Sequence, residues 1–162
     1  MGAVNVRILC VGKLKEPYFT DACAEFQKRL GRFCTLSVTE VPDEKAPESL
    51  HPADEEQVRE KEGARLLKAI GEKDFVVALA IDGRSLSSEE FAAFLSEKEQ
   101  SGTRTVTFVI GGSLGLSKAV LQRADRSLSF SRMTFPHRIA RLLLLEQLFR
   151  AYKINAHEAY HK

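Results

Sequence analysis

Three stretches of this 162-residue chain carry residue types that could do chemistry. The first is 108–117, Phe-Val-Ile-Gly-Gly-Ser-Leu-Gly-Leu-Ser. An apolar run enters glycines and then a helix start that Ser117 can cap. Glycines let the backbone approach a ligand closely, and free N–H groups bind carboxylate or phosphate. The run is neither G-x-G-x-x-G nor a phosphate loop ending in Gly-Lys-Ser/Thr. A plain structural turn explains it equally well.

The second stretch is 128–138, Leu-Ser-Phe-Ser-Arg-Met-Thr-Phe-Pro-His-Arg. Residues 129–135 mix small hydroxyls with bulky apolar groups, at the expected C-terminal end of a strand. Open α/β sheets bind ligands there. Backbone amides could read an adenine edge while Met133 and Phe135 pack on its faces. An ordinary loop with two buried anchors fits the same composition. The third stretch is the tail, His157-Glu158-Ala159-Tyr160-His161-Lys162. Docked, it could supply an acid, a base or RNA contacts. Local physics expects it to fray.

These stretches need elements to hold them. Residues 4–11 alternate and are rich in β-branched types, so they read as a strand ended by Gly12. Pro17 opens a helix with Phe19, Cys23, Phe26 and Leu30 on one face, which Gly31 can close. Residues 35–41 read as a second strand, and 42–52, with three prolines, as a loop. Residues 53–70 form a highly charged helix with a thin apolar stripe through Val58, Leu66, Leu67 and Ile70. The run 75–81 suits a strand covered on both faces, with a turn at Asp82-Gly83. Ser87 and Glu90 make a capping box for a helix bearing Phe91, Phe94 and Leu95. Strands follow at 105–110 and 128–130, then a helix from Arg138 to about Ile154. Strands alternating with helices predict an α/β fold with a mainly parallel sheet flanked by helices, in one domain spanning 1–162.

The last helix carries Ile139, Leu142, Leu143, Leu144, Leu145, Leu148, Phe149 and Tyr152 around most of its circumference. Only Glu146, Arg150 and Lys153 form a polar strip. Such a helix is covered on nearly all sides, and a second subunit related by a twofold axis is the favoured cover.

Composition narrows the class. The hydrophobic share is 44% and the charged share 28%, ordinary for a soluble globular chain. No apolar run is long enough to cross a bilayer, and no signal peptide is visible, so a cytoplasmic location and no membrane partner are expected. Cys10, Cys23 and Cys34 match no zinc spacing and read as reduced, packed thiols; no metal is expected. The net charge is +2, but residues 101–162 carry ten Lys and Arg against three Asp and Glu. That half suits a polyanion surface, or merely a solvated face.

The segments 108–117, 128–137 and 146–162, with Val11-Gly12-Lys13-Leu14-Lys15 and Glu40-Val41-Pro42-Asp43-Glu44-Lys45-Ala46-Pro47-Glu48, resemble the RlmH family across essentially the whole chain. That family methylates a pseudouridine of large-subunit ribosomal RNA. The resemblance implies a SPOUT fold with a C-terminal trefoil knot, a homodimer, and S-adenosylmethionine as methyl donor. By motif it implies cofactor contacts at Leu79, Gly111, Phe130, Ser131, Arg132, Met133, Thr134 and Phe135. The implied reaction methylates N3 of a pseudouridine in 23S ribosomal RNA of the assembled ribosome. Tyr160 and His161 are the catalytic candidates, helped by the cations Arg132 and Lys162. Arg138, Arg150 and Lys162 are the RNA-binding candidates. The tail of one subunit is expected to close the site of the other.

Two other readings remain open on the residues. An open Rossmann-type enzyme is permitted by the glycine run, but that run lies late and lacks an acidic residue about 20 positions beyond it. A noncatalytic ribosome-binding module could use the basic half alone. Binding of S-adenosylmethionine separates the enzyme from that module.

Overall fold

A computed structural model describes residues 4–45 and 51–161. Five strands and five helices alternate: β1 (Asn5–Val11), α1 (Pro17–Leu30), β2 (Thr35–Val41), α2 (Pro52–Ala69), β3 (Phe75–Ser85), α3 (Ser88–Gln100), β4 (Thr105–Ile110), α4 (Lys118–Arg123), β5 (Arg126–Ser129) and α5 (His137–Asn155). The strands pair in parallel in the order β2-β1-β4-β3-β5. The expected parallel α/β sheet is thus present.

The pleat explains the layers. Val6, Ile8 and Cys10 of β1, with Phe108 and Ile110 of β4, face α1, α3 and α5. Leu9, Val11, Val76 and Val109 face α2 and α4 through Leu66 and Val120. With helices on both faces, the inner strands read as continuous apolar runs. The capping box forms as expected: Ser87 Oγ accepts from Glu90 N at 3.0 Å, and Glu90 Oε1 accepts from Ser87 N at 2.9 Å. Ser117 caps α4 through Val120 N. All three cysteines are free and buried, and burial pushes the Cys10 thiol up to about 12 and Cys34 to about 11.

Two expectations need correction. Asp82-Gly83 does not turn the chain. β3 continues to Ser85, and both Leu79 and Arg84 pair with Leu128, so residues 80–83 form a bulge. Gly83 is required there because a Cβ would lie 2.8 Å from the Ser127 and Leu128 backbone. The run 75–81 is also not covered throughout: Ile81 is 45% exposed. Gly31 closes α1 as expected, its N–H donating to Gln27 O and Lys28 O, and it does so in the right-handed region, φ −57°.

The last helix is less uniformly apolar than its sequence suggests. Arg141 is 3% exposed, pairs with Glu40 at 2.8 Å and donates to Gly12 O at 3.3 Å. It ties α5 to the C-terminal ends of β1 and β2. Ile139, Leu142 and Leu143 are only half-buried in the single chain.

Candidate active site

Parallel register brings the expected cofactor loops to one rim. Ala78 pairs with Val109 and Leu79 with Leu128. Gly111 and Phe130 each lie two residues beyond those partners, so Leu79, Gly111 and Phe130 emerge from neighbouring strands at nearly the same level. α3 covers one face of the sheet and α4 the other. The chain therefore leaves β3 and β4 on opposite sides and opens a crevice between their ends.

The loop after β5 is pinned by its hydroxyls. Ser129 Oγ donates to Ser131 O at 3.0 Å, and Met133 N donates to Ser131 Oγ at 3.0 Å. Phe130 packs on the core. Arg132 and Thr134 are exposed, and Met133 is 73% and Phe135 37% exposed. The two bulky groups are not buried anchors but apolar surfaces turned outward. Among the described residues Arg132 has no ion pair.

The glycine turn folds on itself. Gly115 N donates to Gly112 O at 3.1 Å, and Gly115 has φ +84°. A Cβ at Gly111 would lie 2.8 Å from the Gly115 carbonyl carbon. Glycine at 111 is therefore demanded by the turn itself.

The tail docks rather than fraying, against the local expectation. The Tyr160 ring meets Phe149 edge-on at 5.0 Å, and its hydroxyl donates to Glu146 Oε2 at 2.9 Å. Arg150 pairs with Glu146 at 2.7 Å, lies over the Tyr160 ring at 4.9 Å, and contacts His161 Nδ1 at 3.0 Å. His161 Nε2 lies 2.7 Å from Glu89 Oε1. Arginine only donates, so Nδ1 must accept and Nε2 must carry the proton given to Glu89. Burial and the Glu146 carboxylate raise the Tyr160 pKa. Backbone and His161 hydrogen bonds hold the Glu89 carboxyl below its ordinary range. The polar strip expected on α5 is thus the tail's anchor, with Lys153 bound to Glu158 at 2.9 Å.

The RNA-binding candidates fall in different settings. Arg138 is partly exposed, 3.7 Å from Glu16. Arg150 is committed to Glu146 and the tail. Lys162 lies outside the described residues. Among the described residues no hydrogen bond links the tail to the 111–117 or 130–136 loops of its own chain.

Two buried groups were not anticipated. Glu62 on α2 is 4% exposed and lies against Gly112, and its Oε1 has no partner. His137 at the start of α5 has an unpartnered buried Nδ1. Charge in a helix reads as solvent-facing, so Glu62 gave no local signal. His137 was visible only as part of a loop motif.

A parallel sheet with helices on both faces, and the candidate cofactor loops at the ends of its last three strands, fit a SPOUT-class methyltransferase. The family profile described as predicted SPOUT methyltransferase matches residues 4–161. Within that class the chain belongs to the family of ribosomal RNA large subunit methyltransferase H. It is 54% identical over 159 residues to the protein of that name from Ligilactobacillus salivarius, covering 98% of this chain and 100% of that one. The namesakes from Carboxydothermus hydrogenoformans and Bifidobacterium adolescentis are 54% and 52% identical over the same shares. Solved structures share the fold at low identity. A probable methylase family protein from Haemophilus influenzae has a TM-score of 0.55 at 15% identity, covering 98% of this chain and 71% of that one. A probable methyltransferase from Bordetella pertussis has 0.56 at 13%, covering 92% and 96%. The chain is a methyltransferase, and SPOUT methyltransferases take their methyl group from S-adenosylmethionine.

Proposed function

We propose that residues 1–162 act as one domain that methylates N3 of a pseudouridine in 23S ribosomal RNA of the assembled ribosome, as a cytoplasmic homodimer. The observation that carries this reading is the shared rim of Leu79, Gly111 and Phe130, in a chain more than half identical to proteins named for that RNA subunit.

The rim suits S-adenosylmethionine. Half-buried Leu79 and outward-turned Met133 and Phe135 offer apolar walls, while Gly111 and the 131–134 backbone offer polar edges. When bound, the cofactor supplies an electrophilic sulfonium methyl group. Phe130, Ser131, Arg132, Met133, Thr134 and Phe135 hold and orient it, and in-line placement is a large part of the rate. Arg138 and Lys162 bind RNA phosphate. Arg150 orders the tail that lies against the RNA. Tyr160, whose proton goes to Glu146, offers its hydroxyl oxygen as an acceptor to the target base, and His161 orients the base. No metal is assigned a role.

The test is methylation of ribosomes from a strain lacking the activity, with nucleotide mapping. Label at pseudouridine N3 supports the reading. A ribosome-binding chain that neither binds S-adenosylmethionine nor methylates overturns it.

The half-buried Ile139, Leu142 and Leu143 of α5 support the dimer. Removing such surface from water is favourable, roughly 25 cal/mol per Å². Sedimentation is expected to show a dimer that persists on dilution to assay concentrations. A fully active monomer would contradict the shared site.

A further inference from the structure

The 130–136 loop is held at two ends that lie far apart in the sheet. One end is β5, where Ser129 Oγ donates to Ser131 O. The other is the start of α5, which rests on the C-terminal ends of β1 and β2 through Arg141. In the order β2-β1-β4-β3-β5, β3 and β4 lie between those ends. The loop must therefore pass the rim that carries Leu79 and Gly111. Three strand spacings make about 14 Å. Eight residue steps from Ser129 to His137 can reach about 26 to 29 Å. The loop is thus slack, and its path depends on where α5 begins.

The start of α5 is fastened chiefly by one side chain. His137, Arg138, Ile139 and Ala140 are only partly buried, and Arg141 is the first buried residue of the helix. Its Nη1 pairs with Glu40 Oε2 at 2.8 Å, and its Nη2 donates to Gly12 O at 3.3 Å. One guanidinium thus grips the last-but-one residue of β2 and the residue that follows β1. Gly12 is itself fixed: its N–H donates to Val41 O at 2.9 Å, and its φ is +93°. One helical turn before Arg141, His137 lays its ring beside the same glycine, 3.4 Å from where a Cβ would stand. A buried charge is a costly fastener, since an apolar side chain of similar volume avoids the desolvation. Arg141 Nε also lacks a partner, so stability alone does not account for the group. A planar fork aimed at two fixed acceptors adds direction, because it admits one placement of the helix start. The family-like stretches beginning at Val11 and Glu40 supply those two acceptors, and the cofactor contacts leave them without a role.

We propose that Arg141 is a positioning residue for the S-adenosylmethionine site: by gripping Glu40 and Gly12 it sets where the 130–136 loop lands, and so how tightly that loop closes on the cofactor. The inference rests on the cofactor role given above to residues 130–135. Arg141 acts through the loop and not on the reacting atoms. Without its charge the first turn of α5 is free to shift, while fully buried Leu144, Leu145 and Leu148 keep the rest of the helix in place. The loss falls on cofactor affinity more than on the fold.

The test measures S-adenosylmethionine affinity by calorimetry, with melting temperature beside it, in Arg141→Met, Glu40→Gln, the double variant and Leu148→Ala. Methionine keeps much of the volume and removes the charge. The Glu40 side chain left behind is 33% exposed, so water can solvate it. Arg141→Met should melt within several degrees of wild type, yet bind the cofactor roughly tenfold more weakly. Its KM for S-adenosylmethionine in ribosome methylation should rise by the same factor, with turnover at saturating cofactor little changed. Glu40→Gln should weaken binding by about threefold, and the double variant should match Arg141→Met, because the pair acts as a unit. Leu148→Ala cuts a fully buried side chain from the same helix and should melt lower than Arg141→Met, but keep the wild-type affinity. A folded Arg141→Met protein with wild-type affinity and KM overturns this inference alone. So does a Leu148→Ala protein that loses as much affinity, since the effect would then be general loosening of α5. Should Arg141→Met not fold, Glu40→Gln decides, and unchanged affinity in that variant overturns the inference. A wild type that does not bind S-adenosylmethionine overturns the cofactor reading and this inference with it.

Discussion

Deleting Tyr160 to Lys162 is expected to abolish methyl transfer while leaving the fold and the affinity for S-adenosylmethionine nearly unchanged. The deletion removes the Tyr160 ring from Phe149, its hydroxyl from Glu146, and His161 from Arg150 and Glu89. The Glu146–Arg150 pair survives within α5. The lost contacts are partly exposed, and the aromatic pair is worth about 1 kcal/mol, so melting should drop by only several degrees. The candidate cofactor loops share no hydrogen bond with the tail among the described residues. Turnover should fall on the order of 10³-fold, because the groups that orient the target base are gone. Scintillation counting of methylated ribosomes, beside calorimetry for the cofactor, reads both quantities. Mixing deleted subunits with subunits defective at Gly111 then tests action across the dimer. Verified heterodimers should regain one complete site; no recovery places the tail's action within its own subunit. A deleted homodimer with full activity removes the tail from the mechanism.

Local rules made much of the architecture legible. Alternation in 4–11, the capping box at Ser87 and Glu90, and the glycines after 110 each express backbone requirements within a few residues. The bulge at 80–83 was not legible, because Asp-Gly is a turn signal and only pairing of Arg84 with Leu128 keeps β3 extended. Tail docking was also invisible locally. It depends on Glu89, Glu146 and Arg150, two of them on the same helix and one far away in sequence. Strand order decided the rest. β4 lies between β1 and β3, and no periodicity reports which strands are neighbours. Glu62 shows the limit most sharply. In a helix rich in Glu and Lys, the one carboxylate buried against Gly112 looks like the others.

The glycine turn permits a prediction that separates shape from ligand contact. Gly111→Val is expected to weaken S-adenosylmethionine binding at least ~100-fold, about 2.7 kcal/mol, and also to lower the melting temperature. The new Cβ would sit 2.8 Å from the Gly115 carbonyl carbon, 2.9 Å from its oxygen and 3.0 Å from Leu116 Cδ2. Backbone atoms cannot rotate away as a side-chain tip can, so the turn must open, and overpacking of this kind costs about 1–3 kcal/mol. Gly115→Ala supplies the contrast. Its φ is +84°, and nothing lies within 4 Å of its Cβ position. It should bear only left-handed strain, about 1 kcal/mol, and keep most of its cofactor affinity. Thermal shifts with added cofactor make the distinction, since a ligand that binds only the folded state raises melting in proportion to its affinity. Wild type and Gly115→Ala should both shift upward, and Gly111→Val should stay where it is. A folded Gly111→Val protein with the wild-type shift would take this turn out of the cofactor site, leaving Gly111 a purely structural residue.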